Sequence, residues 1–223
     1  MPEISSIIYE KGEDLNKYLY DNYYSTENLE YLTVSAKPGT GEITSKIFEL
    51  ELNTGVTANS IAMVNYNNIL MNPYYAEAVW KMYMNSMDDV FCFFGFKETL
   101  SEPTYNMIES HAGFMIYNGK LYASVANGYD QQRVELVGID CTRVENFKIE
   151  NYKFFIMPLP EVEESLGLPR TISIKRVWKE YTSLSNFPPE NMNHHIVQYI
   201  TNYVGATKFI KFNRFIYKEV YAD

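Results

Sequence analysis

An all-β sandwich is the fold class this sequence predicts, and three observations carry the prediction. Short apolar segments recur along most of the chain, bounded by turn residues, as they do in sandwiches and barrels. Where polar residues interrupt these segments the period is two: IFELEL places Phe48, Leu50 and Leu52 on one face and Ile47, Glu49 and Glu51 on the other. Finally, Asn118-Gly119 links GFMIY to KLYASVA, and an Asn-Gly pair readily takes the left-handed backbone angles of a two-residue type I′ hairpin. The 223 residues are 46% hydrophobic and include 20 Tyr and 13 Phe, enough to bury a large core and the opposite of a disordered composition.

Taken in order, residues 1–28 read as an N-terminal arm. Leu15, Tyr18, Leu19 and Asn22 stand at helical offsets, but the stretch is too short and too polar to be stable without a partner surface. Residues 29–223 form the sandwich. After IFELEL, the run VFCFFGF from Val90 to Phe96 is almost unbroken apolar text, which suits a strand covered on both faces. Gly95 within it marks a bulge or a close backbone approach. HAGFMIY, KLYASVA, RVELVGI, NFKIE, YKFFIM, TISIKRVW, HHIVQYITNY and KFIKFNRFIYKEVY follow as further strands.

Two segments break this series. PLPEVEESLGLP reads as one short helical insertion, with Pro160 at its start, Gly167 as its C-terminal cap and Pro169 preventing continuation. SLSNFPPENMN, residues 183–193, carries Pro188 and Pro189 and reads as an exposed loop. No repeat or composition shift draws a domain boundary, although two smaller jelly rolls meeting near residues 85–89 are an alternative division.

The hairpin at Asn118-Gly119 sets a register in which Phe114 and Ile116 share a face, and so do Leu121, Ala123 and Val125; a one-residue slip would invert both sets. The second pair, Asn127-Gly128, is followed by Tyr129, Asp130 and two glutamines before RVELVG. It opens a longer polar loop, and Tyr129 is the residue there left over for recognition.

Several function classes are disfavoured. A net charge of −9 opposes a nucleic-acid partner, which needs a surplus of Lys and Arg on one face. The basic residues Lys208, Lys211, Arg214 and Lys218 read as solvated or inter-subunit charge on one strand, complementary in sign to Glu161, Glu163 and Glu164. Neither a signal peptide nor a membrane-spanning run of ~20 apolar residues is visible, so no export or insertion is expected. Asn-x-Ser/Thr acceptors are absent too.

Cys92 and Cys141 sit in apolar, strand-like text and read as buried free thiols. His194 and His195 point to opposite sheet faces and cannot easily chelate one metal together; His111 stands alone. Nucleophile elbows, P-loops and dinucleotide fingerprints are missing. Trp80 and Trp178 lie in apolar segments and read as core residues. No catalytic, cofactor-binding or metal-binding residue is assigned.

The region from Glu77 to Glu150, with AVWKMYM, FFGF, HAGFMIYNGKLYASVANG, RVELVGID and NFKIE, resembles the concanavalin-like, laminin-G-like jelly roll. Sandwich glucanases of that class carry Glu-x-Asp-x-x-Glu on one strand. Glu49 and Glu51 here stand in Glu-Leu-Glu-Leu-Asn, which does not complete that arrangement, so hydrolysis is not expected. By its length and its Tyr-rich and Asn-rich strands, the whole chain resembles the vertex proteins of the Sulfolobus turreted icosahedral virus. That resemblance implies a structural, non-enzymatic penton base and turret component in the virion, assembled in the host cytoplasm. Its partners would be four further copies in a pentamer, the major capsid protein, a second turret protein, an internal-membrane protein and a host surface glycan or receptor. The alternative is a carbohydrate-binding β-sandwich module that uses Tyr129.

Overall fold

The computed structural model describes residues 20–22, 32–37, 41–46, 49–66, 72–73, 76–143, 145–150, 153–157 and 178–219. Fifteen strands run through them: β1 (Tyr20–Asn22), β2 (Leu32–Lys37), β3 (Glu42–Lys46), β4 (Glu49–Asn53), β5 (Ile61–Tyr66), β6 (Ala76–Met84), β7 (Val90–Lys97) and β8 (His111–Tyr117). They continue with β9 (Lys120–Ala126), β10 (Gln131–Glu135), β11 (Glu145–Glu150), β12 (Lys153–Met157), β13 (Lys179–Ser183), β14 (His195–Asn202) and β15 (Phe209–Glu219). The segment expected as a helical insertion, with Pro160, Gly167 and Pro169, and the acidic Glu161, Glu163 and Glu164 lie outside the described residues, as does most of the N-terminal arm. Tyr20–Asn22, inside that arm, pairs with β15.

The strands form two antiparallel sheets. One holds eight strands in the order β13-β12-β11-β6-β15-β4-β3, with β1 also on β15; the other holds seven, β10-β9-β8-β7-β14-β5-β2. Strands from both sides of residues 85–89 share each sheet: β4 and β6 pair with β15, and β5 and β7 pair with β14. The two sheets enclose one core.

Alternation assigns the core side chains. In β6 every second residue is buried, and Ala78, Trp80, Met82 and Met84 face the opposite sheet. Leu50 and Leu52 do the same from β4, while Glu49 and Glu51 face away. Aromatic rings bridge the sheets. Trp80 meets Phe94 edge-on at 5.9 Å and Phe215 at 5.3 Å; Phe94 stacks on Phe114 at 5.2 Å and meets Phe147 at 5.2 Å. Such offset and edge-on pairs add ~0.5–1.5 kcal/mol beyond their burial.

The β8–β9 hairpin has a two-residue link, with Tyr117 opposite Lys120. Asn118 and Gly119 both take positive φ, 49° and 77°, the type I′ geometry whose twist matches the strands. The Gly119 amide donates to the Met87 carbonyl at 3.0 Å, which ties the turn to the neighbouring β6–β7 loop. Phe114, Ile116, Leu121, Ala123 and Val125 all reach the core from this register. Asn118→Val should lower stability by ~1–2 kcal/mol, because a β-branched residue resists positive φ; an unchanged thermal midpoint would contradict this account of the turn.

VFCFFGF is buried throughout, as β7 is the middle strand of the seven-stranded sheet. Val90, Cys92, Phe94 and Phe96 face the core, and Phe91 and Phe93 face the other way into a second apolar cluster. Gly95 is a close approach and not a bulge. Its register to both neighbours is unbroken, and a Cβ there would stand 2.4 Å from the Ala112 carbonyl oxygen and from Gly113 Cα. Cys92 and Cys141 are both buried free thiols, and burial pushes the Cys92 thiol well above its ordinary range.

Candidate functional site

Among the described residues, the outer face of the seven-stranded sheet, the side away from the core, gathers a cluster of buried ionisable and aromatic side chains. Because side chains alternate, Phe91, Phe93, Gly95 and Lys97 of β7 line it together with Gly113, Met115 and Tyr117 of β8 and Val197 and Tyr199 of β14. Two glycines face each other at its centre, Gly95 opposite Gly113. The Phe93 ring occupies the space above Gly113, where a Cβ would meet it at 2.5 Å.

The long connection between β7 and β8, residues 98–110, folds back over this face. Tyr105 stacks on Tyr117 at 4.2 Å and meets Tyr122 edge-on at 5.7 Å, and Met107 is buried in the same cluster. On its other side Tyr105 receives the Arg133 guanidinium, 3.6 Å from the ring centre. The Arg133 side chain also donates to the Tyr105 carbonyl and, at 3.2 Å, to Asn106 Oδ1, while Gln131 Nε2 donates to the Tyr105 carbonyl at 3.1 Å. This loop therefore fills part of the surface that an open groove would use.

At one end of the face the ionisable groups converge. His195, Lys97 and His111 stand in one row across β14, β7 and β8. The Lys97 side chain is fully buried, and its ammonium donates to Glu109, to Thr99 Oγ1 at 2.6 Å and to Ser101 Oγ at 2.7 Å. Burial raises the Glu109 carboxyl, but hydrogen bonds from Lys97, Thr99 and Ser101 and the Lys97 charge outweigh it and leave the group below its usual range. His111 Nδ1 lies 2.7 Å from the Glu109 carbonyl, so that nitrogen carries the proton and Nε2 accepts from Ser124 Oγ at 2.8 Å. His194 repeats the pattern: Nδ1 donates to the Met192 carbonyl at 3.2 Å and Nε2 accepts from Ser110 Oγ at 2.8 Å. Burial depresses both imidazoles to about 4.

Beside this cluster, residues 127–130 connect β9 to β10. Asn127 Oδ1 accepts from the Tyr129 and Asp130 amides, each at 3.1 Å, and Gly128 takes a φ of 94°. These bonds hold the backbone of the turn in one shape, and Tyr129 projects from it 84% exposed. The connection preceding β14, with Pro188 and Pro189, reaches the same end of the sandwich. Its Ser185 and Asn186 amides donate to Gln132 Oε1 on β10 at 2.8 and 3.4 Å.

Other residues singled out from the sequence are placed elsewhere. Glu49 and Glu51 lie on the eight-stranded sheet, where Lys211 of β15 sits between them at 2.8 and 3.2 Å. Lys211 is therefore an intramolecular clamp for two strands, and Lys208 is buried with its ammonium on Ser86 Oγ at 3.1 Å; neither is the solvated or inter-subunit charge expected from the sequence. Trp80 is a core residue, but Trp178 is not. It is half-buried on the outer face of the eight-stranded sheet, with the Lys148 ammonium 5.2 Å from its ring. In TISIKRVW apolar residues occupy both parities, so period alone could not assign the face.

Sequence reasoning missed the 98–110 loop as a cover, and with it Lys97, Tyr105, Glu109 and Arg133. A lysine ending an apolar strand was the available signal. Among the described residues no group of three or more His, Cys, Asp or Glu is arranged to hold a metal ion.

The sequence matches no protein-family model and no curated protein. The structure is similar to several solved ones. A structure described as native glycosidic hydrolase superposes with a TM-score of 0.59 at 11% identity, covering 89% of this chain and 94% of that one. The VIP36 exoplasmic/lumenal domain, in its Ca2+/Man2-bound form, gives 0.56 at 8% identity, covering 93% and 89%. A prokaryotic β-1,3-1,4-glucanase (lichenase) derived from a mouse hindgut metagenome gives 0.55 at 12% identity, covering 89% and 96%. At such identities the likeness is one of fold alone, and by that fold the chain is a concanavalin-like jelly-roll β-sandwich.

Proposed function

We propose that this protein is a non-catalytic carbohydrate-binding β-sandwich that presents Tyr129 to a glycan. The observation that carries the reading is a large aromatic ring held in solvent on a turn whose backbone is fixed by Asn127. An exposed, pre-positioned tyrosine offers its apolar face to a sugar ring at little conformational cost, and its hydroxyl can hydrogen-bond at the edge. The amides and hydroxyls of the neighbouring loops supply polar contacts of the kind that fix ligand orientation. Sugar-bound and sugar-hydrolysing proteins among the structures of similar fold add support. Hydrolysis draws less, since the glutamates with strand spacing are held by Lys211 on the other sheet and loop 98–110 lies over the face where a cleft would open.

A glycan array followed by calorimetry tests the proposal. Saturable binding is expected, and Tyr129→Ala should weaken it by about tenfold or more, the ~1.4 kcal/mol or more lost on truncating an aromatic anchor, with an unchanged melting temperature. The competing reading, a virion vertex component with capsid partners, requires a pentamer. A pentamer by light scattering together with no saturable glycan binding would overturn the carbohydrate reading in its favour.

A further inference from the structure

We infer that loop 98–110 is an acid-released strap: at neutral pH it is tied across the outer face of the seven-stranded sheet, and mild acid unties it by charging the histidines beneath its two ends. The inference does not depend on what Tyr129 binds.

Its basis is where the three histidines of this chain converge. The strap leaves β7 at Lys97 and enters β8 at His111, adjacent positions in the sheet, so both ends stand over one row of residues. Each end is fastened to that row. Lys97 holds Thr99, Ser101 and Glu109, and the Glu98 amide donates to the Ser110 carbonyl at 2.9 Å. His111 holds the Glu109 carbonyl, and His194, immediately before β14, holds the Ser110 hydroxyl. Further along, Tyr105 and Met107 lie on the aromatic and methionine cluster.

Both fastening imidazoles work in the neutral form. Nδ1 donates to a backbone carbonyl in each case, so Nε2 must be the acceptor for a serine hydroxyl. Ser124 Oγ already accepts from Gln131 Nε2 at 3.2 Å, so a protonated His111 would press a second donor on that oxygen and leave the serine proton to find another acceptor. The charge balance is worse. Around His111 stand Lys97 on β7, His194 immediately before β14 and Glu109 on the strap itself, and His195 of β14 lies beyond Lys97 in the same row. Ser124 of β9 and Gln131 of β10 contribute no charge, and Arg133 of β10 is engaged with Tyr105. The Lys97 ammonium is paired with Glu109, so charging His111 and His194 would set three cations against one carboxylate in a site where Lys97, His111 and His194 are fully buried.

The direction follows from linkage. An imidazole whose folded value is depressed from 6.5 to about 4 stabilises the tied state fully above 6.5, and that contribution drains away as pH falls toward 4. Glu109, depressed in the tied state, loses its contribution on the acid side as well. All these groups therefore favour release in acid. Opening the strap solvates the histidines without separating the two sheets, so release is local and precedes global unfolding.

Hydrogen exchange with mass spectrometry on the full chain, corrected for intrinsic exchange rates, reads this out. Between pH 6.5 and 4.5 the opening equilibrium for residues 98–110 should rise about tenfold per pH unit for each histidine that charges on opening, while β7 and β14 stay protected. His111→Gln with His194→Gln should flatten that slope. Should the double variant fail to fold, the wild-type imidazole resonances serve instead, and their titration should coincide with strap opening. A slope of zero in residues 98–110, or loss of protection in the strap and β14 together as one event, would overturn the inference.

Discussion

Phe94→Ala is expected to lower the unfolding free energy by ~3–5 kcal/mol, the range for removing a fully buried aromatic ring from a core. Phe94 sits on the middle strand of its sheet with no exposure. Its ring meets Trp80, Phe114, Phe147 and Phe212 at centroid distances of 5.2–5.9 Å. These partners belong to β6, β8, β11 and β15, so the cavity would open between the two sheets where four strands converge. None of these strands can collapse inward without breaking its own ladder, which places the cost in the upper part of the range. Urea denaturation with an unchanged m-value checks it, and a loss below about 1 kcal/mol would show that Phe94 is not the joint between the sheets.

Gly95→Val is the second large effect, for the opposite reason. A Cβ at this position meets backbone atoms of β8 at 2.4 Å, the Ala112 carbonyl oxygen and Gly113 Cα. Backbone cannot rotate aside as a side chain can, so β7 and β8 would have to move apart, at a cost of ~3 kcal/mol or more. Gly128→Ala is the control. Gly128 has open space around its Cα, and its φ of 94° makes alanine unfavourable by only ~1 kcal/mol. Thermal melts should rank Gly95→Val far below Gly128→Ala. Equal melting temperatures would mean that the close approach of β7 to β8 is not what requires a glycine.

Gly119 and Gly95 differ in how far local sequence reveals their roles. Asn118-Gly119 was legible because a two-residue hairpin is a local event: the angles of those residues and the alternation of the seven on either side are set within a few bonds. The same holds for IFELEL, whose glutamates face away from the core, and for VFCFFGF, which is apolar on both parities because both faces are covered. Gly95 was legible only as something unusual. Whether it was a bulge or a close approach depended on Gly113 in the partner strand, which one strand's text does not reveal.

The candidate site was less legible still. Tyr129 emerged as the residue left over in a polar loop, and it projects into solvent. Lys97 went unremarked, and the histidines were passed over because adjacent His194 and His195 face opposite ways and His111 stands alone without a metal-ligand spacing. Their environment is made by strands distant in sequence. β14 brings His195 against β7, with His194 just ahead of it, and β8 brings His111 to the other side of β7.

The sequence by itself determined that this chain is a β-sandwich, where its tightest hairpin turns, which residues of β4, β8 and β9 share a face and that β7 is apolar on both, since periodicity and turn sterics act over a few residues. Tertiary structure alone decided that Glu49 and Glu51 clamp Lys211, that Trp178 lies outside the core and that loop 98–110 covers a face above Lys97, His111 and His195. The physical reason is that the cost of burying charge and the fit of facing side chains depend on neighbours brought together by sheet order, which no local pattern specifies.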